Sequence, residues 1–358
     1  MKSKTLSPTP ENIALCAKAL RAGDVVAMPT ETVYGLAGNA SDANALAKIF
    51  RTKERPTFDP LIVHVALEKS TLADLMRGSL IDSHRLSNAA VKTADKLIRA
   101  FWPGPLTLVL PKTDLVPDIA TSGMDTVAIR EPKHPVARAL IQEFKLPVCA
   151  PSANRFGRIS PTSARDVEEE LGERISYILD GGPCEVGLES TILQVREDGT
   201  LVLLRPGVIG IDEIEKACGI RPLDGRAQSS ENNPAAPGML ASHYAPKTPL
   251  TILPSTITQM MSPPKLSVKV PKKISLLLLQ GDEEKAAVTI RELLNVEVTA
   301  VRTLSKSGDW IESARNFFKS LRELDSSGAE MILSEPCVET SGIGFAIADR
   351  LKRAAAGT

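Results

Sequence analysis

The chain has 358 residues, which suits two domains better than one ordinary core. Its 43 basic and 43 acidic residues cancel, so net charge gives no support to a diffuse affinity for nucleic acid or for an anionic membrane. The five cysteines are widely spaced and form no Cys-x-x-Cys pair, which argues against a zinc knuckle or a disulfide framework and predicts a reducing compartment.

The N terminus has no apolar core of the kind found in a signal peptide. Apolar runs such as 276–279 are far shorter than the roughly 20 residues needed to span a bilayer. We therefore expect a soluble, cytoplasmic protein with no membrane partner.

The first predicted element is a helix. Thr9 offers an N-cap, Pro10 presets the first turn and Glu11 matches the helix dipole. Apolar residues then recur at helical spacing as far as Gly23, at Ile13, Cys16, Ala17 and Leu20.

Short β-rich runs and helical patterns alternate irregularly over the next 180 or so residues. The runs lie at 25–28, 61–65, 106–110, 126–130, 176–179, 191–195 and 201–204. The helical patterns lie near 42–52, 89–101, 135–145 and 162–171. This alternation predicts a mixed α/β or α+β sheet rather than a regular βαβ series.

The composition changes at about residue 221, where Pro, Asn, Ser and Gly accumulate with little apolar periodicity. Beyond this segment, strand-like and helical patterns alternate regularly, as in a small parallel-sheet domain. We therefore predict a catalytic domain over 1–220, a Pro-rich linker over 221–249 and a second domain over 250–358.

Standard phosphate-binding loops and dinucleotide fingerprints are absent from the sequence, as are the His-Glu-x-x-His and Gly-x-Ser-x-Gly motifs. An anion site would have to be assembled from side chains. Lys53 and Arg55 combine a point charge with a planar fork, which suits a polyphosphate. The alternative is that both cations only stabilise the end of a helix through its dipole.

A second candidate segment is 150–162, which follows the apolar run 146–149. Ser152, Asn154 and Ser160 are small donors on a loop at a strand end, where α/β sheets tend to bind ligands. Turn and capping chemistry explains them equally well, since Ser160 before Pro161 could start the next helix.

A third candidate segment is 187–192, followed by Arg205 at the end of an apolar run. Arg205 offers a second phosphate contact or is a surface cation at a turn. His64 lies within the run 61–65, where a packed or hydrogen-bonded histidine is the alternative to a ligand-binding one.

These segments occur in one order with several others, and the whole set resembles the YrdC/Sua5 family of threonylcarbamoyl-AMP synthases. The motifs are PTETVYGL (29–36), KERP with DPLIVHV (53–65), FWPGPLTLVL (101–110), TVAIREPKHP (126–135), APSAN with SPT (150–162), GLESTI (187–192) and LRPG (204–207). The SHYAP motif at 242–246 and GIGFAIADRL at 342–351 resemble the long, two-domain Sua5 form.

The resemblance implies a YrdC-like twisted mixed sheet with helices and a smaller, Rossmann-like C-terminal Sua5 domain. It also implies synthesis of threonylcarbamoyl-AMP and pyrophosphate from L-threonine, ATP and bicarbonate or CO2. The product feeds the t6A modification of adenosine 37 in tRNA. A downstream tRNA threonylcarbamoyl transferase complex is the implied partner, with weak or no direct tRNA binding.

The resemblance also assigns residues to each substrate. L-Threonine would be held by Thr30, His64, Arg130, Ala150 and Ser190. ATP would be held by Lys53, Arg55, Thr126, Ser152, Asn154, Ser160, Arg205 and Tyr244, with Lys53 and Arg55 as the catalytic pair.

A carbamate formed from threonine and CO2 could attack the α-phosphorus itself, so catalysis would rest on positioning and charge neutralisation. Mg2+ is expected on the ATP phosphates with no dedicated protein metal site. We predict that the linker closes over the nucleotide; the alternative is an inert tether. An RNA-binding module and a carbamoyltransferase of related fold are the competing functions.

Overall fold

The computed structural model describes residues 3–226, 236–240 and 243–357. The chain forms two compact units. The first extends to Phe156 and also includes Ser160–Glu185 and Glu189–Leu240. The second contains Gly157–Ile159, Val186–Leu188 and the C-terminal part of the chain.

The first unit contains strands β1 to β11 and helices α1 to α8. The strands are β1 (Lys4–Leu6), β2 (Val26–Met28), β3 (Gly35–Asn39), β4 (Ile62–His64), β5 (Leu106–Pro111), β6 (Thr126–Arg130), β7 (Val148–Cys149), β8 (Tyr177–Leu179), β9 (Thr191–Val195), β10 (Leu201–Arg205) and β11 (Leu223–Asp224). The helices are α1 (Pro10–Arg21), α2 (Ala43–Lys53), α3 (Leu72–Arg77), α4 (Asn88–Phe101), α5 (Asp118–Thr121), α6 (Pro135–Phe144), α7 (Ala164–Leu171) and α8 (Ile211–Cys218).

Within the described residues these strands form one sheet in the order β1-β8-β2-β3-β7-β4-β6-β5-β9-β10-β11. Parallel and antiparallel pairs mix: β4 runs parallel to β6, whereas β7 pairs antiparallel with both β3 and β4. The prediction of a mixed sheet with helices is confirmed.

Helix starts follow the capping chemistry of the sequence. The Thr9 hydroxyl accepts a hydrogen bond from the backbone N–H of Asn12, and Pro10 occupies the first turn, as predicted for α1. Helix α7 is capped by Ser163, whose side chain and that of Asp166 form a capping box. The alternative in which Ser160 starts this helix is therefore wrong.

Helices α1 and α6 cover one part of a sheet face. Leu20 of α1 and Leu140 of α6 are buried against Val26, Met28 and Val148. A second apolar cluster, with Ile62, Val109 and Ala128 among its members, lies further along the sheet. Directly paired residues point to the same side of a sheet, and Ile62 pairs with Ala128 just as Val109 does. These three side chains therefore share one face.

The second unit contains strands β12 (Leu250–Ile252), β13 (Lys273–Leu278), β14 (Glu297–Thr303) and β15 (Met331–Ser334), and helices α9 (Glu283–Leu294), α10 (Trp310–Asp325) and α11 (Gly342–Ala355). The strand order is β12-β15-β13-β14, and every pair is parallel. The small parallel sheet expected from the regular C-terminal alternation is confirmed.

Candidate active site

Polar residues converge on the sheet face that carries Ile62 and Ala128. His64 pairs with Arg130 across β4 and β6. Because side chains alternate along a strand, both residues point to the same side as Ile62 and Ala128. By the same alternation Thr107 shares the face of Val109, and Thr126 that of Arg130. A buried histidine, a buried arginine and two threonines thus share one face.

Arg130 is the centre of this group. It is buried, and its Nη2 donates to Glu31 Oε1 at 2.6 Å. Its Nη1 donates to Thr32 Oγ1 at 2.8 Å, and its Nε donates to the Gly104 carbonyl at 3.2 Å. These bonds use three of the five guanidinium N–H groups, so Arg130 keeps donors for a carboxylate while its charge is already paired.

The loop after β2 supplies the hydroxyls that meet Arg130. Thr30 Oγ1 donates to the Val33 carbonyl at 2.6 Å, so the Thr32 hydroxyl must donate to Thr30 across their 2.8 Å contact. The Thr32 hydroxyl therefore contacts the Arg130 guanidinium directly. The Thr30 hydroxyl contacts Thr32 by accepting its hydrogen bond. The sequence reasoning named Thr30 and missed both Thr32 and Glu31.

His64 is held neutral. Burial, with the nearby Arg130 charge, lowers the pKa of His64 to about 3. Its Nδ1 lies 3.2 Å from the Ile62 carbonyl, which can only accept, so Nδ1 carries the proton. The other ring nitrogen, Nε2, is then a hydrogen-bond acceptor. The Ile62 carbonyl also accepts from the Ala150 N–H at 3.0 Å, which places Ala150 next to this pair.

Ser190 and Arg205 form a second polar group. Arg205 Nη2 donates to the Ser190 carbonyl at 3.0 Å and to its hydroxyl at 3.1 Å. The Ser190 hydroxyl also lies 2.7 Å from that of Thr107. Arg205 is buried, which excludes the alternative of a surface cation. Its Nη1 donates to the Pro237 carbonyl at 3.0 Å, within the described part of the predicted linker.

Lys53 lies at the end of α2 and fastens the loop after β7. It is only 1% exposed, and its Nζ donates to the carbonyls of Ser152 and Asn154, both at 2.5 Å. Burial, followed by the charge of Arg55, lowers the pKa of Lys53. The Lys53 ammonium therefore contacts this loop and not the carbonyls at the end of its own helix. The alternative in which Lys53 only caps α2 does not describe these contacts.

Arg55 is buried beside a carboxylate that the sequence reasoning missed. Its Nη2 forms an ion pair with Asp59 at 2.9 Å and donates to the Pro60 carbonyl at 2.7 Å. Burial raises the pKa of Asp59, and the charges of Arg55, Lys53 and Arg205 oppose that rise. Asp59 thus lies within the field of three of the predicted ATP-binding cations. The sequence does contain a signal for Asp59, because this carboxylate lies four residues after Arg55 and is close enough along the chain to pair with it.

The other predicted donors lie at different places. Ser152 is half-buried and bridges Gly35 of β3. Asn154 is buried, and its amide donates to the Arg155 carbonyl at 2.7 Å. The Ser160 hydroxyl donates to Glu189 Oε1 at 2.6 Å. Lys53, Ser152 and Asn154 are therefore in direct contact. Ser160 is hydrogen-bonded to Glu189, which precedes Ser190 in the chain.

Tyr244 belongs to the second unit. Its ring packs 5.5 Å from that of Phe318, and the Arg350 guanidinium lies 5.6 Å from the ring centroid. The next residue, Ala245, donates its N–H to the Gly157 carbonyl at 2.8 Å. The assignment of Tyr244 to ATP stays a prediction. Ser242 of the SHYAP motif lies outside the described residues.

Across 3–226, 236–240 and 243–357, no group of three or more His, Cys, Asp and Glu side chains is arranged to hold a metal ion. In the same ranges, no helix has both the length and the apolar character needed to cross a membrane.

Two family models together match almost the whole chain. Residues 18–207 match the Sua5, YciO and YrdC model, described as telomere recombination. Residues 209–356 match the model described as the C-terminal domain of threonylcarbamoyl-AMP synthase.

Named relatives extend over nearly the full length. The chain is 40% identical to the threonylcarbamoyl-AMP synthase of Pyrococcus abyssi, covering 96% of this chain and 93% of that protein. It is 39% identical to the protein of that name from Bacillus subtilis, covering 98% and 95%. A crystal structure of P. abyssi Sua5 complexed with L-threonine superposes with a TM-score of 0.78 at 36% identity, covering 97% of this chain and 95% of that one.

Proposed function

The chain belongs to the Sua5/YrdC family of threonylcarbamoyl-AMP synthases, and on that premise we propose how its buried cations and hydroxyls divide between L-threonine and ATP. The reaction joins L-threonine, bicarbonate or CO2, and ATP into threonylcarbamoyl-AMP and pyrophosphate, for t6A modification of tRNA. The observation that carries the threonine assignments is the grouping of His64, Arg130 and Ser190 by strand pairing and by the Ser190–Thr107 contact.

L-Threonine is proposed to bind at Arg130. The two guanidinium N–H groups left by its described bonds suit the two oxygens of a carboxylate. Neutral His64 offers an acceptor at Nε2 and Ser190 offers a hydroxyl, and Ala150 lies beside His64 through the N–H that it donates to the Ile62 carbonyl. Thr30 holds the loop whose Thr32 hydroxyl meets Arg130.

ATP is proposed to bind beside the buried cations Lys53, Arg55 and Arg205. Lys53 and Arg55 would face the phosphates as the catalytic pair, because buried positive charge stabilises the charge that develops in phosphoryl transfer. The remaining ATP contacts are proposed for Ser152, Asn154, Ser160, Arg205, Thr126 and Tyr244. Lys53 has two of its three N–H donors on the Ser152–Asn154 loop, so one donor is left for a phosphate oxygen.

The chemistry needs no enzyme nucleophile. The threonine amine adds to CO2 and loses a proton, giving a carbamate. A carbamate oxygen then bonds to the α-phosphorus as the bond from that phosphorus to the bridging oxygen breaks, and pyrophosphate leaves. The protein's contribution is to hold the two substrates in line and to neutralise charge.

Mg2+ is proposed to enter with the ATP phosphates. Asp59 is ion-paired with Arg55 and Glu189 accepts from Ser160, so these buried carboxylates already have partners. Phosphate oxygens and water would then supply most of the metal ligands, as is usual for Mg2+ bound with a nucleotide. Its part in the reaction is to offset phosphate charge.

The predicted linker is proposed to cover the substrates. In its described part, Ala236 and Met239 are buried against the cluster that contains Ile62 and Ala128. These two residues therefore lie on the face that bears Arg130. A cover here would keep water from the labile carbamate.

Pyrophosphate release tests the proposal. Purified protein with ATP, Mg2+ and bicarbonate should release pyrophosphate much faster when L-threonine is added, and threonylcarbamoyl-AMP should accumulate. Release that ignores threonine would contradict the reaction. We further propose that the protein is cytoplasmic and hands its product to a tRNA threonylcarbamoyl transferase complex.

A further inference from the structure

Two short segments from the N-terminal part of the chain belong to the second unit, Gly157–Ile159 and Val186–Leu188. Each continues directly into a proposed substrate contact. Ser160 follows the first segment, and Glu189 and Ser190 follow the second. The contacts that hold these two segments therefore bear on the positions of Ser160 and Ser190.

Helix α10 holds the first segment. Arg322 donates a hydrogen bond from Nη2 to the Ile159 carbonyl. Arg158 lies 4.0 Å from the Asp325 carboxylate at the end of the same helix. A backbone carbonyl that accepts from a guanidinium is fixed in direction as well as position, because the planar fork has a set geometry. Ser160 starts from this fixed carbonyl.

The second segment packs on α10 through a glycine. Gly187 has a φ of +78°, a conformation that L side chains rarely adopt. A Cβ added there would lie 2.6 Å from the Cα of Arg315 and 2.7 Å from the Ala314 carbonyl oxygen. Both atoms are backbone, so they cannot turn away as a flexible side chain could. The neighbouring Leu188 is completely buried, which anchors the segment further.

The residues that follow the two segments are hydrogen-bonded to each other and to Arg205. Glu189 accepts from the Ser160 hydroxyl at 2.6 Å, and both residues are buried. Ser190 accepts from Arg205 through its carbonyl and its hydroxyl. A displacement of either segment would thus move an ATP contact and a threonine contact together.

We propose that α10 is a positioning platform, by which we mean a helix that fixes the segments Gly157–Ile159 and Val186–Leu188. Gly187 and Arg322 are then positioning residues that set the places of Ser160 and Ser190. This rests on the proposed function of those serines. In this proposal both residues act on substrate binding through Ser160 and Ser190.

The first test is Gly187→Ala in the full-length protein, with Gly219→Ala as the matched control. Gly219 has a φ of +83°, but an added Cβ would meet nothing within 4 Å, so the control carries the backbone strain without the contact. We expect Gly187→Ala to lower kcat/KM on the order of 10- to 100-fold, mainly through KM for both ATP and threonine. The control should keep parental KM values.

Arg322→Ala is the second test and decides the matter if Gly187→Ala does not fold. We expect KM for both substrates to rise about 3- to 10-fold, as for the loss of one hydrogen bond. Arg322→Lys should recover part of the loss, because an ammonium can still donate to the Ile159 carbonyl. Lys319→Ala, an exposed change on the same helix, should have no effect.

Thermal melting of each variant separates positioning from general destabilisation. A platform raises KM in protein that remains folded at the assay temperature, with a smaller change in kcat. Folded variants with parental KM values for both substrates would overturn the platform and leave the proposed function intact. A parent protein without threonine-dependent pyrophosphate release would overturn both.

Discussion

The buried cations Arg130 and Lys53 differ in what balances their charge. Arg130 is paired with Glu31 at 2.6 Å, so its charge is matched by a carboxylate without any substrate. Lys53 is bonded to two backbone carbonyls, and no carboxylate of the described residues lies within ion-pair distance of its Nζ. Carbonyl dipoles offset less of the cost of burial than a full negative charge does, which fits the lowered pKa of Lys53.

The two ends of the site therefore depend on their ligands to different degrees. At Arg130 the protein supplies the counter-charge through Glu31, and a carboxylate substrate would use the N–H groups that remain. At Lys53 the charges of Asp59 and Glu170 act without a direct ion pair among the described residues, so a phosphate would add a direct counter-charge. Lys53 should therefore matter more to turnover than Arg130, whose main effect should be on one substrate.

Lys53→Ala should impair the reaction most. It removes both the charge that would face the phosphates and the tie to the Ser152–Asn154 loop, so we expect kcat/KM for ATP to fall on the order of 10²- to 10³-fold. Steady-state pyrophosphate release at varied ATP measures this. Lys48→Ala is the matched control, since Lys48 lies on the same helix but is partly exposed and paired with Asp24. A Lys53 variant with parental ATP kinetics would remove the contrast with Arg130.

Arg130→Ala should chiefly raise KM for L-threonine, about 10- to 100-fold, because charge-assisted hydrogen bonds to a carboxylate are lost. It also leaves buried Glu31 without its cation, which we expect to cost about 3–5 kcal/mol of unfolding free energy. Adding Glu31→Gln should restore most of that stability and none of the threonine affinity. Parental threonine KM in either variant would refute the assignment of Arg130 to threonine.

The pH dependence of stability tests the Arg130 end in a different way. The pKa of His64 is about 3 in the folded protein and near 6.5 when unfolded, so the unfolded chain binds more protons between these values. Stability from this residue is complete above pH 6.5 and decreases as pH falls toward 3, by at most about 1.4 kcal/mol per pH unit.

Urea unfolding between pH 4 and pH 7.5 measures this slope. His64→Asn should flatten it, whereas His84→Asn, a change at an exposed position, should leave it as in the parent. Equal slopes in the parent and in His64→Asn would show that His64 is not held neutral by burial.

The sequence predicted the capped and strongly periodic elements, such as α1, and the strands made of β-branched and other apolar residues. It did not predict β3, whose Gly35–Asn39 sequence contains two glycines and no β-branched residue. That strand exists through its pairing with β2 and β7. A Cβ on Gly38 would lie 3.0 Å from Ile49 Cδ1, so glycine lets α2 approach closely. Such a reason is tertiary and leaves no local pattern.

The residues of the candidate site also fall into those that the sequence indicated and those that depend on tertiary contacts. The order of motifs indicated Lys53, Arg130 and Ser190 because whole segments resemble a family. Asp59 and Thr107 were missed, since their roles depend on which buried side chains they meet. Only the strand register brings Thr107 to the face of Arg130, and only burial turns Asp59 into the partner of Arg55.

Ser152→Ala should have the mildest effect, and it separates the contribution of the Ser152 hydroxyl from that of the Lys53 ammonium. Lys53 donates to the Ser152 carbonyl, which the variant keeps, so the loop should stay in place. Only the hydroxyl is lost, and we expect ATP binding to weaken by about 0.5–1.5 kcal/mol, as for a single hydrogen bond. Titration of the full-length protein with a non-hydrolysable ATP analogue measures this. A loss as large as that in Lys53→Ala would mean that the hydroxyl itself, rather than the buried ammonium, dominates phosphate binding at this end.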